Sequence, residues 1–160
     1  MKKQIVIALA LLCSSVATFG MSKPATAQLS KSSIGPSVEF GGGQTVFGVD
    51  SKFGISDNLS LRPFVYFPNS GTKFGTALTY DITLSNNAKT LQITPFVGGS
   101  VDFNTGNSNG NGNSATSFGL VGGVDLDLTD SLRLKGAVSV PLSNGQDRTT
   151  NITVGAGLRF

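Results

Sequence analysis

Asp125, Asp127 and Asp130 place three carboxylates within six residues, a spacing that could gather oxygens round a calcium ion. Such a site needs several oxygens converging on one point. In an extended segment Asp125 and Asp127 point the same way, while Asp130 falls in the turn Thr129-Asp130-Ser131. Arg133 and Lys135 follow on the next segment with the same parity. If the turn joins two paired strands, Leu128 faces Leu132, Asp127 faces Arg133 and Asp125 faces Lys135. Ion pairing is therefore the expected chemistry, about 0.2–1 kcal/mol per cross-strand pair in water. Inside a narrow lumen the partners depend on each other more, because losing one strands a buried charge. The same arithmetic around Ser56-Asp57-Asn58 sets Lys52 opposite Arg62, a repulsive pair, with Asp50 only diagonal. A carboxylate from another strand is expected between them.

Other reactive chemistry is scarce. The chain has no His and a single cysteine, Cys13, which removes Cys–His and Ser–His–Asp catalysis and the usual zinc ligands. The run Gly41-Gly42-Gly43 lacks the Lys-Ser/Thr of a phosphate loop and reads as a tight hairpin turn. No carboxylate pair is singled out for acid–base work. The expectation is a protein that is not an enzyme and takes no cofactor and no metal.

The residues that carry charge need elements to hold them. From Ile34 onward there is no helical period. Apolar and polar residues alternate, broken at intervals by Gly, Asn, Asp and Ser, the signature of consecutive β-hairpins. Strands are expected at 34–41, 45–55, 59–67, 73–84, 91–103, 117–128, 132–142 and 151–160. Short turns (56–58, 86–89 and 129–131) alternate with longer connections, the Asn/Gly/Ser tract 104–116 and the stretch 143–150. One domain accounts for all of it.

Parity sorts the side chains. Glu39, Asp50, Lys52, Arg62, Lys73, Asp81, Asp102, Asp125, Asp127, Arg133, Lys135 and Arg159 all fall on the face opposite the apolar series of their own strand. These are the expected ion-pair residues. Inward Phe64, Tyr66 and Phe96 alternate with glycines on that same face, a large-against-small filling. A soluble barrel alternates too, with its apolar face inward. The phenylalanines separate the two cases. Phe40, Phe47, Phe67, Phe74, Phe103 and Phe118, one from each of the first six strands, lie on the apolar face near the end with the longer loops. A packed core has little reason to set one ring per strand at one height, whereas a membrane interface carries such a girdle.

The N-terminus reads as a secretory signal peptide over 1–27. Lys2 and Lys3 precede an apolar run from Ile5 to Leu12, and Ala25-Thr26-Ala27 follows. That run is far too short to span a membrane as a helix. Leu12 suits a lipoprotein signal at Cys13 poorly. Removing Lys2, Lys3 and Lys23 leaves nine basic residues against nine acidic ones. The net charge of +3 therefore belongs to the targeting segment and gives no reason to expect nucleic acid as a partner.

The chain closes on Asn151-Ile152-Thr153-Val154-Gly155-Ala156-Gly157-Leu158-Arg159-Phe160, an alternating strand ending on an aromatic ring. With the eight strands, the charge-free apolar face and the girdle, it resembles the small eight-stranded outer-membrane β-barrels of the OmpA/OmpX type over residues 34–160. The resemblance implies an antiparallel up-and-down transmembrane barrel (28–160) in a Gram-negative-type envelope, with a narrow polar lumen. It also implies that Phe160 belongs to a signal read by the barrel-assembly machinery. Outer-membrane lipid and that machinery are the expected partners of a monomer, with no further domain after Phe160. A structural or surface-contact role with a closed lumen is the expected function, and a small passive, porin-like pore the alternative.

Overall fold

In the computed structural model, which describes residues 32–69, 71–82, 84, 91–105, 115–142 and 149–160, the alternating segments become strands. They are β1 (Ser33–Gly41), β2 (Gln44–Gly54), β3 (Leu59–Phe67), β4 (Lys73–Asp81), β5 (Gln92–Asn104), β6 (Ala115–Asp127), β7 (Leu132–Pro141) and β8 (Asn151–Arg159). Each pairs antiparallel with the next, and β1 pairs with β8, so the sheet closes into a barrel. Closure leaves no open edge of unpaired backbone groups. The all-β, eight-stranded architecture expected from the alternation is the one observed. The expected signal peptide (1–27), the turn 86–89 and most of 104–116 and 143–150 lie outside the described residues.

Strand bounds agree with the sequence reading to within two residues except in β4, which was expected to reach 84 and stops at Asp81. The cause is Pro95. The Ile82 N–H donates to the Pro95 carbonyl at 2.7 Å, but proline has no N–H to return the bond, and the ladder ends there.

Turn chemistry fixes the register. Gly42 (φ 57°) and Gly43 (φ 73°) form the left-handed two-residue turn that closes Gly41 onto Gln44, a conformation glycine adopts without steric cost. At the other end of the barrel, the N–H groups of Leu128 and Thr129 donate to the Leu132 carbonyl at 3.0 and 3.4 Å. Thr129 Oγ1 accepts from the Leu132 N–H at 3.0 Å. This sets Asp127 across from Arg133 and Asp125 across from Lys135, as the sequence arithmetic has it.

The molecule is inverted relative to a water-soluble fold. Among the described residues the most deeply buried side chains are those of Thr79, Asp125 and Ser60, while Phe47 (68% exposed), Leu158 (65%) and Phe118 (59%) face outward. Inside, aromatic rings lie over glycines. Tyr66 pairs with Gly48, Phe64 with Gly75 and Phe96 with Gly123 in adjacent strands. A Cβ on these glycines would stand 2.3 Å from Tyr66 Cδ1, 2.7 Å from Phe64 Cζ and 2.7 Å from Phe96 Cζ. An eight-stranded bore is just wide enough for side chains to fill, and the missing Cβ atoms make room for the rings.

Candidate functional site

Four charges from four strands meet at the centre of the lumen. Lys52 comes from β2, Arg62 from β3, Asp81 from β4 and Asp125 from β6. Lys52 Nζ lies 2.7 Å from Asp81 Oδ2 and 2.9 Å from Asp125 Oδ2. The Arg62 guanidinium grips Asp125 with two nitrogens, Nη1 to Oδ1 at 3.1 Å and Nη2 to Oδ2 at 2.8 Å. Its Nη2 also reaches Asp81 Oδ1 at 3.1 Å. Hydroxyls complete the set: Ser60 Oγ donates to Asp81 Oδ2 at 2.6 Å, and Arg62 Nε donates to Thr79 Oγ1 at 2.9 Å. The guanidinium plane sits 3.6 Å from the Phe96 ring centroid, close enough for a cation–π contact. Two cations and two anions cancel, and their hydrogen bonds are met from inside, which is the condition under which buried charge is tolerable.

Smaller pairs flank this knot. Toward the short turns, Arg133 Nε and Nη2 donate to Asp127 at 2.6 and 3.1 Å, and Arg159 Nη1 lies 3.4 Å from the same carboxylate. Toward the longer loops, Lys73 Nζ donates to both oxygens of Glu39 at 2.8 and 2.9 Å and stands 3.9 Å from Asp102. Between these levels Lys135 hydrogen-bonds Asp50 across the bore.

All twelve charged residues singled out in the sequence therefore lie on the lumen side. One expected pair does not form. Asp125 and Lys135 are ladder partners, yet Asp125 turns to Lys52 and Arg62 while Lys135 takes Asp50. Two cations converging from other strands, one with a fork that fits a carboxylate, offer Asp125 more charge-assisted hydrogen bonds than one neighbouring lysine. The carboxylate expected between Lys52 and Arg62 is thus Asp125, joined by Asp81. Asp127 goes to a different cation and Asp130 is exposed in its turn, so the three carboxylates do not converge. Sequence reasoning missed Ser60, Thr79 and the Arg62–Phe96 contact. Ser60 and Thr79 share the parity of Arg62 and Asp81 on their own strands, but only barrel closure sets their azimuths.

On the outer face, Phe40, Phe47, Phe67, Phe74, Phe103 and Phe118 stand at the long-loop end. Phe47 pairs with Phe67, and Phe74 stacks on Phe103 at 5.4 Å. Phe160 is half exposed at the opposite end, edge-on to Phe53 at 6.4 Å. Within the bore, two cavities of about 50 and 10 Å3 both touch Asp50, Arg62 and Lys135.

Solved structures share this arrangement of strands. A designed transmembrane β-barrel superposes with a TM-score of 0.62 at 12% identity, covering 87% of this chain and 98% of that one. The N-terminal β-barrel domain of Pseudomonas aeruginosa OprF gives 0.57 at 13% identity, covering 82% and 98%. Neisserial surface protein A gives 0.51 at 12% identity, covering 81% and 95%. The chain has the fold of the small outer-membrane barrels. No family model and no curated protein matches its sequence.

Proposed function

We propose that the protein is an integral barrel of the outer membrane, secreted by its signal peptide, with a structural or surface-contact role and a lumen closed by its own ion pairs. The observation that carries this reading is the Lys52–Arg62–Asp81–Asp125 knot under Phe96, which spans the bore between strands. The outer face supports it too. Large apolar side chains are exposed on every strand, and among the described strand residues none on that face is charged; a lysine or arginine at mid-depth on such a face costs about 2–4 kcal/mol. Lipid is the partner this surface suits, and the assembly machinery is the partner the C-terminal strand suits. With six acidic and six basic groups in the bore, no sign is in excess to select an ion, and the charges of the knot and its flanking pairs hold one another, with Asp102, 3.9 Å from Lys73, the most loosely held, so the reading assigns no catalysis.

The test is conductance of the purified, refolded protein in a planar bilayer, alongside fractionation of the envelope. The expected result is recovery with outer membranes and no steady channel. Recovery in the soluble periplasmic fraction would overturn the membrane assignment, and long-lived unitary steps would overturn the closed lumen. A small passive pore is the second reading, favoured by the 50 Å3 cavity and by the inward glycines.

A further inference from the structure

The outer face has a waist. On β5, β6 and β7 it is made by Gly99, Gly122 and Gly136. Gly122 lies two residues nearer the short turns than Leu120, the ladder partner of Gly99, and Gly136 lies two residues nearer them than Val138, the partner of Gly122. The next step in the same sense, from Val154, partner of Gly136, reaches Ala156 on β8. Across the seam lies Pro36, flanked by Ser37, the partner of Gly155. From Val49, partner of Pro36, the same step reaches Ser51. Ser51 Oγ donates to the Pro63 carbonyl at 3.1 Å, and Pro63 pairs with Thr76. Thr76 pairs with Val101, and one last step of two residues returns to Gly99. Every step is level or displaced in one sense, the stagger that tilted strands impose on a ring square to the barrel axis.

Each strand contributes one small side chain to this ring and a bulky apolar one two residues to either side. Ile34 and Val38 flank Pro36, Leu120 and Val124 flank Gly122, and Leu134 and Val138 flank Gly136. The recess is open: a Cβ on Gly136 would meet nothing within 4 Å, and one on Gly122 only a backbone oxygen at 3.7 Å.

The girdle gives the ring an independent height. Phe40, Phe47, Phe67, Phe103 and Phe118 each sit four residues from the ring member of their own strand, on the long-loop side, and Phe74 sits two residues from its own. Tyr80 and Phe160 sit four residues away on the short-turn side. At ~3.3 Å per residue and a tilt of ~40°, four residues rise about 10 Å. The apolar band of such a barrel is about 25 Å tall, so aromatic rings ~10 Å to either side put the waist at its middle.

We propose that the waist lies at the bilayer midplane, its recess filled by the ends of acyl chains from the two leaflets. The inference rests on the outer-membrane reading and adds the depth at which the barrel sits. Continuity with the lipid-facing band argues for this occupant. Of the ring's two hydroxyls, that of Ser51 bonds within the wall to the Pro63 carbonyl, while Thr76 Oγ1 is enclosed without a hydrogen-bond partner.

The chain has no tryptophan, so a single introduced one reports alone. Gly122→Trp and Gly136→Trp mark the waist, and Phe118→Trp and Leu126→Trp mark levels to either side. Each purified variant is refolded into lipids brominated at a chosen chain depth, and compactness before boiling is checked on a detergent gel. Two waist positions are used so that one failing to fold leaves the other. The expected result is the largest loss of fluorescence at the waist with bromine near the chain end, and at the flanking positions with bromine nearer the headgroup. Strongest quenching of the waist by shallow bromine would overturn the depth and leave the membrane reading standing. Absence of quenching at every position would overturn both. A waist dark to all bromines, with Phe118→Trp still quenched and cross-linked dimers present, would assign the recess to a second copy of this chain and overturn the lipid occupant.

Discussion

Lys52 faces Arg62 across the β2–β3 ladder, and one carboxylate from β6, Asp125, holds both, at 2.9 Å and 2.8 Å. Two like charges on neighbouring strands are thus made compatible by a residue more than sixty positions away in sequence.

Removing that carboxylate is expected to be costly. Asp125→Leu leaves Lys52 and Arg62 facing each other with Asp81 alone between them. Breaking a buried pair of this kind costs about 3–5 kcal/mol. Urea unfolding of the barrel in lipid or detergent micelles measures it. Adding Lys52→Met should recover part of the loss, since the repulsion goes with the lysine. An Asp125→Leu barrel as stable as the parent would mean that water, rather than Asp125, solvates the two cations.

Ladder partners and ion-pair partners separate at the β6–β7 hairpin. Asp127 and Arg133 are both, whereas Asp125 and Lys135 are ladder partners only. A double-mutant cycle with Asp127→Ala and Arg133→Ala should show clear coupling, the double variant losing less than the sum of the singles. The cycle with Asp125→Ala and Lys135→Ala should couple more weakly. Equal coupling in the two cycles would contradict the side-chain pairing.

Glycines on the two faces should answer differently to a methyl group. At Gly48 and Gly123 a Cβ would meet a ring carbon at 2.3 and 2.7 Å and a backbone carbonyl oxygen at 2.3 Å in both cases. Backbone cannot give way cheaply, so Gly48→Ala and Gly123→Ala should each destabilise by about 1–3 kcal/mol. Gly136→Ala, with open space on the outer face, should change stability little. Comparing urea midpoints of the three variants checks this, and equal midpoints would mean that both the rings and the neighbouring strand backbone shift to make room at little cost.

Legibility in the sequence followed what period two can encode. Parity assigns a face, so the inward charges, the outward phenylalanines and the strand count could be read from one chain. Tight turns add register, which is how Asp127–Arg133 could be read. Parity says nothing of azimuth. The Lys52–Asp125 pair depends on where β2 and β6 stand once the barrel closes, and no local spacing carries that. The end of β4 needed the same information. Pro95 was visible as a residue without an N–H, but its effect on Ile82 follows only from the β4–β5 register.

Opening the bore tests the closed lumen most directly. The two cavities share Arg62 as a wall, and Phe96 covers its guanidinium. Arg62→Ser alone would leave Asp125 with only Lys52, so the neutral change is Arg62→Ser with Asp125→Ser, which keeps Lys52 on Asp81. This pair removes the side chains that cross the centre without altering the net charge. The parent protein should show no steady current in a planar bilayer. The double variant, if it still migrates as a compact barrel before boiling, should show unitary steps that grow with salt concentration. A double variant as silent as its parent would put the block elsewhere, with the Asp50–Lys135 pair the next to remove. Steady steps from the parent would instead mean that the knot leaves a continuous water path beside it.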